Sequence, residues 1–284
     1  MQNQRSIAHA FTISGMGVHY GMRCTMHVQP APPDSGIVFQ RHDLPDKPRV
    51  AACVANVKST LRCTEIGTES GSVFTIEHLM SALRGMEIDN CLITLDGPEV
   101  PIVDGSAAHF VTKLMQAGIV EQDVPRQVVR LTAPVWVSDG QRHVVALPSD
   151  RLQISFTFTN DKRHPLLSDQ YADYIITPET YQEQIASART LGWLAEVEAL
   201  RKLGRLQGGS VDIAVVMDEE RIYTQLRFPN ELVRHKILDT IGDVALLGHL
   251  HAHIICCRSG HEMNARLGRA IWDAVAAGAA TVSP

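Results

Sequence analysis

Between Leu232 and Asp243 the apolar and polar residues separate onto two faces of a helix. Ile237, Leu238, Ile241, Val244 and Ala245 form a stripe suited to a core. His235, Lys236, Asp239 and Asp243 fall within about 100° of arc on the other side, since residues three and four apart share a face. A second helix is predicted over Thr75 to Met86, where Ile76, Leu79, Met80 and Leu83 recur at i, i+3, i+4 and i+7. Helical patterns also cover Pro178 to Ala188, Leu194 to Leu203 and Asn264 to Ala277, and Ser106 is placed to cap a helix ending near Ala117. Short apolar or alternating runs bounded by Gly, Pro and Asp predict strands at Ala10–Ile13, Cys24–Val28, Gly36–Gln40, Cys91–Leu95, Val128–Leu131, Val135–Val137, His143–Leu147, Leu152–Thr159, Ile213–Met217 and His249–Cys257.

The polar segment Glu121-Gln122-Asp123-Val124-Pro125 divides these elements into two sets. Each set runs strands, a helix with polar chemistry, a strand, a Gly-containing loop and a closing helix. The expectation is α+β: two similar domains, 1–125 and 126–284, each a mainly antiparallel sheet with helices on one face, packed helix layer to helix layer. The second domain carries an insert at about 190–215 that mixes apolar residues with Gly208-Gly209.

Composition narrows the function classes. The chain is 45% hydrophobic and 20% charged, with a net charge of −5, which does not favour a nucleic-acid surface. No apolar run approaches the ~18 residues of a membrane span, and the first residues lack the apolar core of a signal peptide. Cys24, Cys53, Cys63, Cys91, Cys256 and Cys257 show neither C-x-x-C spacing nor disulfide-scaffold density. They read as reduced thiols, which places the protein in the cytoplasm.

The candidate chemistry lies on the two patterned helices. His235 and Asp239, at i and i+4, aim a nitrogen and an oxygen in one direction, close enough to share a metal ion. If the helix faces of the two halves meet, His78 completes a three-ligand site. Glu77 then stands beside the metal, where a general base belongs. An ordinary polar helix face remains the alternative for each pair taken alone. Ser81 and Phe74 exclude the H-E-x-x-H and H-x-x-E-H peptidase patterns. His249, His251 and His253 face one way on a strand, either as a ligand pair or as separately satisfied side chains; vicinal Cys256-Cys257 reads as apolar filling. His261, at a turn before the last helix, is either a surface residue or an acid–base group.

Several segments share one further property. Thr75-Ile76-Glu77-His78-Leu79-Met80-Ser81-Ala82-Leu83, Ile88-Asp89-Asn90, Gly97 to Ala107, Ala188-Arg189-Thr190-Leu191-Gly192, Gly208-Gly209-Ser210, Val233 to Asp239 and Ser259-Gly260-His261 occur in this order. Together with Gly15 to Gly21, containing His19, they resemble the UDP-3-O-acyl-N-acetylglucosamine deacetylases, the zinc amidases of lipid A biosynthesis, over nearly the whole chain. The resemblance implies zinc (or iron(II)) on His78, His235 and Asp239, with Glu77 as base and His261 as acid. It further implies that Thr190 helps to hold an oxyanion and that Asp243 supports the acid histidine. Lys236, Cys63, Leu191, Trp193, Gly209 and Arg142 fall at substrate-contacting positions, and the insert would form an acyl passage.

The implied substrate is the UDP-linked, 3-O-acylated N-acetylglucosamine, acted on by a monomer. The sequence departs from the family's pattern at Leu191, where a phenylalanine is usual, and at Arg142, which replaces a lysine. Asp161-Lys162-Arg163-His164-Pro165 also looks expanded relative to the family's turn. A zinc amidase with another amide substrate and a non-catalytic binding module are the other readings. The full set of Glu77, His78, His235, Asp239 and His261 argues against the second, because binding alone needs no base beside a metal.

Overall fold

The computed structural model describes residues 2–161, 163–202 and 213–284. The parts of the 190–215 insert that fall on Leu203, Leu206 and Gly208-Gly209, and the substrate position Gly209, lie outside the described residues. The architecture is α+β, with mainly antiparallel sheets and few helices.

In the first half a five-stranded sheet runs in the order Phe11–Met16, Arg23–Pro30, Cys91–Leu95, Ile37–Arg41, Arg49–Ala51. Only the pairing of Ile37–Arg41 with Cys91–Leu95 is parallel. Alternate residues of the central strands, Met26, Val28, Ile93 and Leu95, are wholly buried. They share one apolar cluster with Leu79 and Leu83 of helix α1 (Glu77–Gly85) and Phe110 and Leu114 of helix α2 (Ala108–Ala117).

In the second half a seven-stranded sheet is built around His249–Cys257. This strand pairs in parallel with Val128–Leu131 through its first residues. Through the rest it pairs antiparallel with Arg142–Pro148 and parallel with Leu152–Phe158. Its even-numbered residues Leu250, Ala252, Ile254 and Cys256 form the buried face, so its three histidines share the opposite face. Every strand pair joins two strands on the same side of residue 125.

After the single turn α3 (Pro178–Thr180) come α4 (Leu194–Lys202), α5 (Glu231–Val244) and α6 (His261–Ala276). Several elements differ from the sequence expectation. The helix expected from Thr75 begins at Glu77, because Thr75 has φ +59°, outside the helical region. The helix expected over Pro178 to Ala188 is α3 followed by a π-helical turn, Tyr181–Ile185. There Tyr181 is fully buried and donates a hydrogen bond to Ser81 Oγ of α1 (2.9 Å). Ser106 does not cap α2; it precedes Ala107 and accepts from the Ala108 N–H at 3.2 Å. The last helix begins at His261, which therefore sits in a helical first turn rather than in the loop before it.

The burial of α5 agrees with the expected meeting of the two helix layers: every residue of the helix except Arg234 and Lys236 is buried. Strand Leu152–Phe158 lies against one side and α1 against the other. The close approach to α1 occurs at Gly242, where a Cβ would lie 2.0 Å from the backbone oxygen of Glu77. At the far end of α1, a Cβ on Gly85 would lie 2.3 Å from the Tyr181 ring. The two helices thus meet backbone to backbone at Gly242, which brings their polar residues within bonding distance.

Gly242→Ala is expected to force α1 and α5 apart. Overpacking of this kind costs about 1–3 kcal/mol, equivalent to a fall in Tm of about 2–10 °C for a chain of this size. Thermal denaturation and a divalent-metal titration of the variant check this. Wild-type Tm together with wild-type metal affinity would show that the helices can separate without cost.

Candidate active site

Glu77 and His78 open α1, and His235, Asp239 and Asp243 follow at four-residue intervals along α5. The helical repeat stacks the α5 residues on one face, and the Gly242 contact sets that face against the first turn of α1. His78, His235 and Asp239 each offer a ligand atom, and the three atoms lie within 4.8 Å of one another. Asp239 Oδ1 is 3.2 Å from His235 Nε2 and 3.7 Å from His78 Nε2. Two atoms each about 2.1 Å from one zinc at a tetrahedral angle would be about 3.4 Å apart, so the spacing suits a single cation.

The remaining atoms of these residues agree with that fit. Asp239 Oδ1 is buried with no hydrogen-bond partner, while Oδ2 accepts from Lys236 Nζ at 2.8 Å. His235 Nδ1 is 3.1 Å from the Ala188 carbonyl, so Nδ1 carries the proton and Nε2 presents its lone pair. Burial and the neighbouring imidazole hold His78 down to about 3, and burial also lowers His235. Burial would raise Asp239, but His235 and Lys236 overcome it and hold the carboxyl below its usual range. Two neutral imidazoles and one carboxylate are the protonation states that a cation requires. His78 Nδ1 is buried without a hydrogen-bond partner.

A second group lies beside the first. Glu77 Oε2 accepts from the Thr64 N–H (3.0 Å), and Oε1 is 3.8 Å from His261 Nε2. Burial is the main cause that pushes Glu77 up to about 7. His261 Nδ1 donates to Asp243 Oδ2 at 2.9 Å. Burial alone would lower His261, but the carboxylates of Asp243 and Asp239 outweigh it and push it up to about 10. Asp243 is itself fixed, accepting from Thr64 Oγ1 (2.6 Å) and Asn264 Nδ2 (2.8 Å). At neutral pH the arrangement holds a carboxyl poised near its ionisation point and a protonated imidazole with Nε2 turned toward it.

Thr64 and Asn264 escaped the sequence reading. Thr64 follows Cys63 directly, and Asn264 lies three residues after His261 on the same helix face, a periodicity that could have drawn attention to it. Cys63 is buried, and burial with the nearby Glu77 charge pushes its thiol up to about 12, so it is an unreactive neutral neighbour of the base. Thr190 is held by its backbone, donating to Gly105 O (2.8 Å) and accepting from Val215 N–H (2.7 Å). It lies two residues beyond the carbonyl that orients His235.

The other expected positions have partners of their own outside this cluster. Leu191 and Trp193 lie on a short strand paired with Val215–Met217 and pack against Val215, Met217 and Leu232. Arg142 pairs with Asp139 and with Glu262 of α6, the latter at 2.9 Å. The three strand histidines do not form a ligand set: His249 pairs with Asp89 (2.9 Å) and His253 bonds to Ser155 Oγ (2.7 Å).

A site that joins a candidate cation position to a buried carboxyl and a protonated imidazole defines a class, the metal-dependent hydrolases that act on amides. Within it, residues 4–273 match the family model described as UDP-3-O-acyl N-acetylglycosamine deacetylase (LpxC), and the chain belongs to that family. A curated relative from Bdellovibrio bacteriovorus, named UDP-3-O-acyl-N-acetylglucosamine deacetylase, is 41% identical over 95% of this chain and 90% of its own length. Relatives of the same name from Acidithiobacillus ferrooxidans and Oleidesulfovibrio alaskensis are 42% and 44% identical, covering 95% and 92% of this chain and 90% and 86% of their own. No helix among the described residues is long and apolar enough to cross a membrane.

Asp243→Asn removes the negative charge that holds His261 protonated. The His261 pKa is expected to fall from near 10 toward its ordinary value of 6.5, by at least about one unit. An NMR titration of the His261 ring measures this directly. An unmoved titration would show that Asp243 does not control the histidine.

Proposed function

We propose that the protein hydrolyses the N-acetyl group of UDP-3-O-acyl-N-acetylglucosamine, giving the free amino sugar and acetate, in lipid A biosynthesis. The observation that carries this is the convergence of His78, His235 and Asp239 at single-cation spacing, with Glu77 and His261 beside them, in a chain of this family. Two imidazoles and a carboxylate suit zinc, and iron(II) accepts the same donors. A cation held by these residues would polarise a carbonyl and lower the pKa of a bound water toward about 7.

The chain's own residues then have separate tasks. Glu77 takes the proton of the water that adds to the acetyl carbon, and its hydrogen bond from the Thr64 N–H keeps the other oxygen aimed. Thr190 and Lys236 donate to the oxygen on which negative charge develops. As the C–N bond breaks, His261 gives its Nε2 proton to the departing nitrogen, and Asp243 stabilises the imidazolium beforehand. Leu191 and Trp193 begin the apolar passage for the 3-O-acyl chain, Cys63 stands beside the metal position, and Arg142 meets the diphosphate. The chain works as a cytoplasmic monomer of two domains, 1–125 and 126–284, with the reacting groups at their seam.

Metal analysis is expected to give about one divalent ion per wild-type chain, because three ligands leave one position for water. His78→Ala and Asp239→Ala should bind far less. Full metal content with unchanged activity in both would refute the ligand assignment.

The pH dependence follows from the protonation states. Activity rises as Glu77 ionises and falls as His261 loses its proton. The bound cation favours the carboxylate, so the acidic limb lies at or below about 7, and the basic limb lies toward about 10. Glu77→Gln should keep the metal, lower kcat by about 10²–10⁴-fold and lose the acidic limb. A near-wild-type rate with that limb intact would place the base elsewhere.

A substrate without its 3-O-acyl chain should lose at least about tenfold in kcat/KM, since remote binding energy contributes to the chemical step. Equal kcat/KM for both substrates would exclude the acyl passage.

A further inference from the structure

A cavity of about 560 Å³ lies between the two halves and shares no lining residue with the metal site. Arg84, from the last turn of α1, lines one side. Arg126 and Arg130, from the strand at Val128–Leu131 and the segment before it, line another, with His249 and His251 from the adjoining strand. Four arginines face the cavity against two side-chain carboxylates, Glu87 and Asp150, and Pro284 closes part of the wall.

Each of those carboxylates already has a cationic partner, and so has Asp89, which pairs with two of the lining residues. Asp89 takes Arg126 at 2.8 Å and His249 at 2.9 Å. Glu87 takes Arg5 at 2.8 Å, and Asp150 takes Arg151 at 3.0 Å. Among the described residues Arg130 donates to two neutral oxygens, the Ser283 carbonyl (3.0 Å) and hydroxyl (3.1 Å). The guanidinium of half-buried Arg84 makes no hydrogen bond or ion pair among the described residues. Two guanidinium charges therefore share a recess with no anion in contact, an arrangement proteins avoid unless a counter-charge arrives.

Groups on separate elements register the resulting positive field. Burial and Arg126 hold Arg84 down to about 10. Burial and Arg84 hold His249 down to about 3, and burial with Arg130 lowers His251.

We propose that this cavity binds a small multivalent anion of the phosphate class, held by Arg84 from one half and by Arg130 and His251 from the other. Guanidinium forks match the oxygens of a phosphoryl group, and the volume admits a phosphate or a small phosphate ester. The bound anion bridges the halves at the end of α1 remote from Glu77 and His78. It also engages the strand that leads to His261, and so fastens the seam on which the metal site depends. This inference does not rest on the proposed reaction.

The test uses the full chain with inorganic phosphate and glycerol 3-phosphate as probes, at ionic strength matched with potassium chloride. Both binding by calorimetry and Tm are read. Phosphate should raise Tm where chloride does not, because a ligand bound only by the folded state stabilises it. A tighter glycerol 3-phosphate would point to a phosphate ester as the natural ligand, and a tighter inorganic phosphate to the free ion. Arg84→Gln should weaken binding at least tenfold, Arg84→Lys should restore part of it, and Arg49→Gln, on the exposed edge of the first sheet, should bind as wild type does. Arg130→Gln tests the opposite wall should Arg84→Gln fail to fold. Absence of phosphate binding in the wild type, or undiminished binding in both the Arg84→Gln and Arg130→Gln variants, would overturn the proposal.

Discussion

The backbone contact between α1 and α5 is the constraint on which the rest of the structure depends. A single missing side chain, at Gly242, lets α5 approach the Glu77 carbonyl as closely as it does. The first turn of α1 and the polar face of α5 then become two walls of one narrow site. Around this contact the architecture is conventional: each half lays its helices on one face of a mainly antiparallel sheet, and the two helix layers close on each other.

That closure buries charges that water would otherwise solvate, and the site is arranged to compensate them. Lys236 and His261 supply positive charge; Asp239, Asp243 and Glu77 supply negative charge. Carboxylates outnumber cations by three to two when the two ligand histidines are neutral, so a divalent cation would enter a site of net negative charge. The same low-dielectric surroundings separate the titrations of Glu77 and His261, one governed by burial and the other by adjacent carboxylates. At the opposite end of α1 the balance is reversed, with Arg84 left facing a cavity of net positive lining.

Second contacts hold the first ones in place. Thr64 uses its amide on Glu77 and its hydroxyl on Asp243, so one residue aligns the base with the partner of the acid. Glu231, fully buried at the start of α5, accepts from the Arg189 backbone N–H and pairs with the Arg189 side chain at 2.9 Å. That pair ties Ala188 and Thr190 to the helix that carries His235 and Asp239. Loss of such a clamp would move the loop and the ligand together, because the Ala188 carbonyl orients His235.

Local pattern alone determined much of this protein. The strands Cys91–Leu95, Val128–Leu131 and His249–Cys257 lie where alternation or apolar runs placed them, and α5 lies where its two-faced pattern placed it. The pairing of His235 with Asp239 follows from helical periodicity, and the motifs around it were enough to indicate the family. Tertiary structure decided what periodicity cannot encode. It buried a polar helix face that its own residues would leave in water. It bent the chain at Thr75 and widened the turn at Tyr181. It also joined Thr64 to Asp243, residues 179 apart, and left the Arg84 guanidinium without a hydrogen-bond or ion-pair partner among the described residues. Secondary structure is set by neighbours a few residues away, whereas ionisation, metal geometry and an unpaired charge depend on groups brought together from both halves of the chain.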